Sequence, residues 1–349
     1  MRKIRRFVGW LGGMPVAKYG RVHTTYGHAP STFRLSSRAP NMQNIPSSGG
    51  EGPGVRVKEI FVAAPGSVLL SCDFAAIEAV LVGYFANSPR YVRLAKLGVH
   101  DFFNSYVLRD QGKIDHPAVV EWSDADLKAF FADLKKRFYK ERAGSKQCVY
   151  LSAYGGTPRE MYRKHPELFD SEAHARRLRE LYFALFPDIL VWQRHTIEEA
   201  HDTGYLRAPF GHIHRFWRVK EWTKRNGEWE ARDGDDANAA LAFKPQNTAA
   251  RITNEAILRM HDETFAGGRM SRFLRLQVHD DLTSEVPEPL LEAYGRRKIE
   301  IMTAPVPVLE LPWAPGEHLS IGVEAKVGHR WSDMCGWQPQ EEQSHVSSH

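Results

Sequence analysis

Two aspartates, each beside a short apolar run, carry the clearest chemical signal in this sequence. Asp73 closes the run Val68 to Cys72, and Asp280 lies where two apolar stretches, Phe273–Val278 and Leu282–Val286, meet. A lone aspartate in such a place is more often a turn or cap residue. Two of them beside apolar strand residues carry more weight, because a carboxylate is costly to bury without a partner. Carboxylates sharing a site also repel unless something neutralises them. Divalent cations do so. Mg²⁺ favours carboxylate oxygens together with substrate phosphates, and a pair of ions can clamp the attacking and leaving oxygens of an in-line phosphoryl transfer. A second pattern, Arg142, Lys146, Tyr150 and Tyr154, recurs at steps of four. Each step climbs roughly 6 Å along a helix, so the four line one slowly turning stripe. Two cations suit phosphates, and two phenols offer stacking surface to a base or sugar. The bland alternative is a solvated charged face running into a core aromatic edge. No Walker loop or GxGxxG accompanies the stripe, so any phosphate would be held by side chains.

The elements that must position these groups follow from periodicity. Val68–Asp73 reads as a buried strand and Ile77–Phe85 as the helix beside it. Ser123 with Asp126 resembles a capping box ahead of Leu127, Phe130, Phe131, Leu134 and Phe138 at helical spacing. A helical pattern from about Glu141 to Tyr154 stops at Gly155-Gly156. Helices are expected over 172–186 and 189–203, broken at Pro187, and over 247–265. Residues 31–56 read as extended loop and 222–236 as an exposed charged loop. Phe273–Val278, a turn at His279-Asp280-Asp281, and Leu282–Val286 read as a hairpin with acids at its tip. The tail after Trp331 reads as frayed. The fold class expected is α+β, a small antiparallel sheet with long helical insertions.

Composition bounds the answer. The 349 residues are 42% hydrophobic and 26% charged, with net charge +5. That is ordinary globular composition, mildly favouring an anionic partner. No apolar run approaches the ~18 residues of a membrane span. Three cysteines, Cys72, Cys148 and Cys335, argue against a disulfide framework and for a reducing compartment. Arg2, Lys3, Arg5 and Arg6 precede an apolar stretch, but Gly9, Gly12, Gly13 and Pro15 interrupt it. It reads as a basic surface segment rather than a secretory signal.

Several segments in order then resemble one family, the family A DNA polymerases of the bacterial DNA polymerase I type. Phe33–Pro46 (FRLSSRAPNMQNIP) is similar to that family's TGRLSS-x-x-PNLQNIP segment. Ser71–Leu81 (SCDFAAIEAVL) resembles its motif A, Arg142-x3-Lys146-x3-Tyr150-x3-Tyr154-Gly155 its motif B, and QVHDD at 277–281 its motif C. GRVHTTY at 20–26, His100, FGHIHR at 210–215 and QNTAA at 246–250 fall in family order. The resemblance covers about residues 20 to 332. It implies a right-hand polymerase palm with a helical fingers insertion: 1–30 leading into the palm, 31–98 palm, 99–208 fingers, 209–332 palm, and 333–349 a flexible tail.

The resemblance also implies roles. Asp73 and Asp280 correspond to the catalytic, metal-binding acids, with Asp281 a further metal contact, for two Mg²⁺ ions or Mn²⁺ in their place. Arg142, Lys146 and His100 correspond to contacts with the triphosphate of a dNTP, and Tyr150 to the ring beside its sugar. Glu78 stands at the steric gate against a 2′-OH, and Gln43 also falls in the dNTP set. Tyr154 corresponds to the ring that stacks at the template position. Arg34, Asn41, Asn44, Gln246 and His279 are donors near the primer terminus, suited to minor-groove acceptors present in all four base pairs. The plain alternative for Asn41, Gln43 and Asn44 is loop chemistry.

Departures mark a divergent member, of the kind a virus would carry. The usual His-Asp-Glu of motif C is His279-Asp280-Asp281. Gln-Ile-Glu-Leu-Arg becomes Ala76-Ile77-Glu78-Ala79-Val80. Phe33 and Asn247 stand where the family has glycine. The exonuclease domain and most of the thumb that family members carry are not in this sequence. The expectation is therefore a DNA-directed DNA polymerase acting on primer-template DNA and dNTPs, with low processivity and no proofreading in this chain. Either a separate chain supplies the missing parts, or this is a fragment or an unusually short enzyme. The expected location is a bacterial or phage-infected cytosol, neither secreted nor in a membrane. Competing readings are a metal-dependent nuclease, which would need no triphosphate stripe, and a truncated DNA-binding module dependent on a partner chain.

Overall fold

The computed structural model describes residues 16–17, 20–27, 32–45, 57–226 and 228–340. The basic residues Arg2, Lys3, Arg5 and Arg6, the end of the loop around Pro46, and positions 341–349 of the tail lie outside them. The chain forms two compact units. One takes the described residues of Met1–Ala75, Ala250–Pro305 and Ser320–His349, the other Ala76–Ala249 and Val306–Leu319.

The first unit is built on a five-stranded antiparallel sheet. Its strands are β1 (Ser67–Phe74), β2 (Leu274–Val278), β3 (Asp281–Pro287), β4 (Val323–Gly328) and β5 (Cys335–Gly336), in the order β2-β3-β1-β4-β5. β1 is central, buried from Val68 to Cys72, with Asp73 the first residue to reach solvent. Pairing of β3 with β1 sets Leu282 opposite Cys72, Ser284 opposite Leu70 and Val286 opposite Val68. These residues share one face, because side chains alternate along a strand. The helix Leu291–Thr303 covers that face. Its Tyr294 hydroxyl pairs with Ser284 Oγ at 2.9 Å. Its fully buried Lys298 donates to Leu70 O (3.2 Å), Leu282 O (2.5 Å) and Ser284 Oγ (3.0 Å). An ammonium has three N–H donors, and all three are met, although burial pushes its pKa down. On the opposite face Glu285 accepts from Arg21, Arg275 and the Ala64 N–H. Burial alone would raise its pKa, but these bonds hold it at about 2. Tyr26, from the short hairpin of Thr25–Gly27 and Ser36–Arg38, bonds both the N–H and C=O of Gln277 on β2 through its hydroxyl.

The second unit is mainly helical, and its helices start where side chains cap them. Ser88, Ser123, Thr157 and Ser171 each accept from a backbone N–H of the first turn, which satisfies a donor the helix leaves open. Thr157 and Glu160 make a reciprocal capping box. At Ser123 the Asp126 carboxylate instead meets the serine hydroxyl. Helices over Ile77–Phe85, Pro89–Leu97, Val99–Asp110, Asp124–Arg137, Tyr139–Ala153, Glu172–Leu185 and Pro187–Thr203 follow. Tyr91, Phe102, Phe103, Tyr182 and Phe186 make an aromatic cluster at their core, with edge-to-face and tilted pairs.

Several sequence expectations are corrected. Residues 222–236 are not a loop: Lys220–Arg225 and Glu228–Asp233 pair as a hairpin, with Trp222 and Trp229 exposed. Asn226-Gly227 is strong hairpin-turn chemistry and the flanking Trp and Thr favour strands, signals that the charge content hid. The helix expected from Asn247 to Phe265 runs from Ala237 to Asp262 with Pro245 inside it, and Thr264–Phe265 form a strand. Pro187 does not merely interrupt: it opens the second helix at a first-turn position, where a missing N–H costs nothing. Asp281 belongs to β3 rather than to the turn. Beyond Trp331 the chain is not frayed throughout, since Cys335 pairs with Val327 and Gly336 with Lys326. Cys72 and Cys148 are buried free thiols and Cys335 an exposed one. Among the described residues no helix is long and apolar enough to cross a membrane.

Lys298 gives a direct test of the sheet's support. Lys298→Ala removes a buried stem and three hydrogen bonds, and should cost about 2–4 kcal/mol in urea unfolding. Lys298→Met, which keeps the volume, should cost about half as much.

Candidate active site

The acids of the first unit meet through strand register. Asp73 on β1 lies directly opposite Asp281 on β3, and opposite Glu324 on β4 on its other side. Asp280 occupies the two-residue turn between β2 and β3, and its carbonyl accepts from the Phe74 N–H at 3.3 Å. The turn holds its shape through His279, whose φ of 56° lies in the left-handed region that tight hairpin turns require. Gln277 Nε2 donates to His279 O at 2.8 Å. The structure thus brings Asp73, Asp280 and Asp281 together as the sequence implies. It adds Glu324, which sequence reasoning missed because β4 pairing cannot be read from a local pattern.

The acids differ in environment. Asp281 accepts from the Thr283 hydroxyl at 2.6 Å through Oδ1 and from the Ser71 hydroxyl through Oδ2. Asp73 is pushed up to about 7, first by desolvation and then by the carboxylates of Asp281, Asp280 and Glu324, with Lys326 pulling the other way. A row of like charges across a sheet is destabilising. Such hard oxygen donors fit Mg²⁺, which takes one or two carboxylates and completes its shell with waters and substrate phosphates. Among the described residues no three His, Cys, Asp or Glu side chains form a ready-made cage. Asp73 and Asp280 would hold such an ion. Asp281 has both oxygens hydrogen-bonded to hydroxyls.

In the second unit, Arg142, Lys146 and Tyr150 lie along the Tyr139–Ala153 helix and Tyr154 at its C-cap. Tyr150 and Tyr154 pack edge to face at 5.2 Å. The Tyr154 hydroxyl donates to Glu78 Oε2 at 3.0 Å, so the two residues that the family resemblance would put at sugar gate and template meet directly. Gln193 Nε2 donates to the carbonyls of Ser152 and Ala153 at 2.7 and 2.8 Å. That satisfies the helix end and fixes where Tyr154 begins. Gly155 has φ +79°, and a Cβ there would come within 2.4 Å of Asn238 Oδ1, so only glycine fits. His100 is pushed down to about 4 by burial first and then by Lys146 and Arg142, and is a neutral imidazole at pH 7. Arg142 is not a loose cation: Nε and Nη2 meet both oxygens of the buried Asp101 at 2.5 and 3.1 Å. Asp101 was not singled out in the sequence, where it is one of two acids in the helix Val99–Asp110.

The remaining polar set separates. Asn41 Oδ1 accepts from Ser37 Oγ and the Gln43 N–H, and Gln43 Oε1 accepts from the Ser37 N–H. Both oxygens therefore serve their own loop, as the plain alternative holds. Asn44 and His279 are exposed, and Arg34 and Gln246 half-buried. Asn247 pairs with His212 Nδ1 at 2.7 Å.

Comparison with known proteins gives one consistent result. The sequence model of DNA polymerase family A matches residues 4–112 and 123–333. DNA polymerase I, thermostable, of Thermus filiformis is 29% identical over 315 residues, covering 89% of this chain and 32% of the relative. DNA polymerase I of Pseudomonas aeruginosa is 28% identical over 316 residues, covering 90% and 30%. The chain thus spans about a third of the length of these curated relatives. Among solved structures, the polymerase domain of Pol1 from M. smegmatis, in complex with DNA primer-template and dNTP, superposes with TM-score 0.67 at 23% identity. That match covers 94% of this chain and 51% of the other, and shows a shared fold.

The charge row predicts its own titration. A carboxyl raised from 3.8 to about 7 binds a proton more tightly folded than unfolded. Its unfavourable contribution is therefore absent below about pH 4 and grows as pH rises through about 7. Asp73→Asn should raise the melting temperature at pH 8 without divalent cation by roughly 2–4 °C, and leave it unchanged at pH 4. Mg²⁺ should stabilise the parent protein more than the variant in the same scan.

Proposed function

The chain belongs to DNA polymerase family A, and we propose from that premise that it adds deoxynucleotides to a primer 3′-hydroxyl under the direction of a template. The 3′-hydroxyl gives up its proton to solvent as its oxygen bonds to the α-phosphorus, the bond to the bridging oxygen breaks, and pyrophosphate leaves. The observation that carries this reading is the carboxylate row at the end of β1, with Asp73 between Asp281 and Glu324. A module that only held DNA would gain nothing from it, because acids repel a phosphate backbone.

Each cluster has a part in the reaction. Asp73 and Asp280 would hold Mg²⁺, or Mn²⁺ in its place, and such ions when bound supply Lewis-acid stabilisation of charge on the reacting oxygens. Arg142 and Lys146 bind and orient the triphosphate as charge-assisted donors, and neutral His100 can donate one further N–H. Tyr150 packs beside the sugar. Glu78, held by the Tyr154 hydroxyl, fills the space a 2′-OH would need, so deoxynucleotides are preferred. Arg34, Gln246 and His279 read minor-groove acceptors common to every correct pair. The triphosphate-binding stripe separates this reading from a nuclease, whose nucleophile is water.

Primer extension decides the matter: purified chain, primed DNA, Mg²⁺ and low salt, with dNTPs or NTPs. Extension is expected with dNTPs. Asp280→Ala should lower the rate by roughly a thousandfold or more, about 4 kcal/mol of transition-state stabilisation, with an unchanged circular dichroism spectrum. Extension at the parent rate would overturn the assignment of Asp280. Glu78→Ala should narrow the preference for dNTPs over NTPs in the same assay.

A further inference from the structure

Two cations of the second unit, Arg142 and Lys135, meet on a residue that lies outside the motifs read from the sequence. Asp101 stands in the first turn of the Val99–Asp110 helix, with its side chain 0% exposed. A buried carboxylate persists only when it is paired and hydrogen-bonded, and the helix N-terminus favours its charge. Both oxygens are paired. Oδ1 accepts from Arg142 Nε at 2.5 Å and Oδ2 from Arg142 Nη2 at 3.1 Å. Lys135, at the end of the neighbouring Asp124–Arg137 helix, brings its Nζ to 3.6 Å from Oδ2. Gly98 leaves room for this, since a Cβ there would stand 3.0 Å from the same oxygen.

The pairing is one-sided. A guanidinium has five N–H donors, and Asp101 takes two of them from one edge. The Arg142 side chain stays 24% exposed and Lys135 50%. Arg142 and Lys135 thus meet on one buried anion, and together with Lys146 they act on a neutral His100. Without Asp101 like charges would drive Arg142 and Lys135 apart. With it, the group keeps an excess of positive charge that a multiply charged anion can meet.

We propose that Asp101 is a positioning residue that clamps Arg142 and steadies Lys135, so that the pair presents a preformed edge to the triphosphate of an incoming nucleotide. The proposal rests on the reading that this chain uses nucleoside triphosphates, and extends it to two residues outside the matched motifs. Asp101 touches no phosphate itself: it acts through Arg142.

Titration calorimetry with inorganic tripolyphosphate tests it without catalysis. The parent chain should bind, and Asp101→Asn, which keeps the shape but loses the charge, should bind about tenfold more weakly. Arg142→Ala should lose at least as much, and the double variant should match Arg142→Ala alone, because residues acting as one unit are not additive. Lys135→Ala, at a half-exposed site, should weaken binding about threefold with an unchanged melting temperature. In primer extension Asp101→Asn should raise the KM for dNTP by the same factor and leave kcat within about twofold. A merely structural role would instead lower stability and kcat without the KM split. Equal or tighter binding by Asp101→Asn overturns the proposal, as do additive losses in the double variant or no binding by the parent chain. If Asp101→Asn does not fold, parent-level binding by Lys135→Ala overturns it. Parent binding with no extension would sink the polymerase reading and leave the clamp standing.

Discussion

The register of β1 against β3 is the constraint on which the first unit depends. Side chains alternate with a period of two, so a slip of one residue would turn Asp73 toward the covering helix and Cys72 toward the acids. Lys298 guards against that slip from below. Its ammonium bonds carbonyls on both strands, at Leu70 and Leu282, and the acids Asp73 and Asp281 stand at the same end of the same ladder. Apolar pairing supplies most of the favourable energy, but it is tolerant of which aliphatic meets which. A charged group that must find three particular oxygens is not.

Charge imbalance is the second theme. The sheet end gathers acids with few cations among them, and the helical unit gathers cations around one acid. Proteins pay for such arrangements in self-repulsion. Each cluster contains one device that makes the repulsion bearable. The Asp281 carboxylate accepts hydrogen bonds from the hydroxyls of Ser71 and Thr283. Asp101 does the corresponding service for Arg142 and Lys135. A metal ion and a polyphosphate have the charges each cluster lacks.

Much of this was legible in the sequence, for physical reasons. β1 announces itself because a strand buried on both faces is continuously apolar and its acid stands where the run ends. The cationic stripe is legible because four is close to the helical period. Glu324 was not, because its place beside Asp73 depends on a strand pairing across most of the chain. Asp101 was not, because its meaning comes from an arginine 41 residues away. The hairpin at 220–233 was misread as a loop because charge outweighed the Asn-Gly signal, and the start of the Ala237–Asp262 helix was missed because Pro245 argues for a break. Asn41 and Gln43 show the converse. Their motif points outward, while their oxygens serve the turn they sit in.

The cysteines have a practical consequence. Cys72 and Cys148 are sealed in the two cores, while Cys335 lies open on β5, paired with Val327 of the strand that carries Glu324. A thiol-directed dye added to the folded protein would therefore find a single address, without mutagenesis. It would sit two strands from Asp73 in the sheet order, and the two buried thiols would report on unfolding by the moment they become reactive.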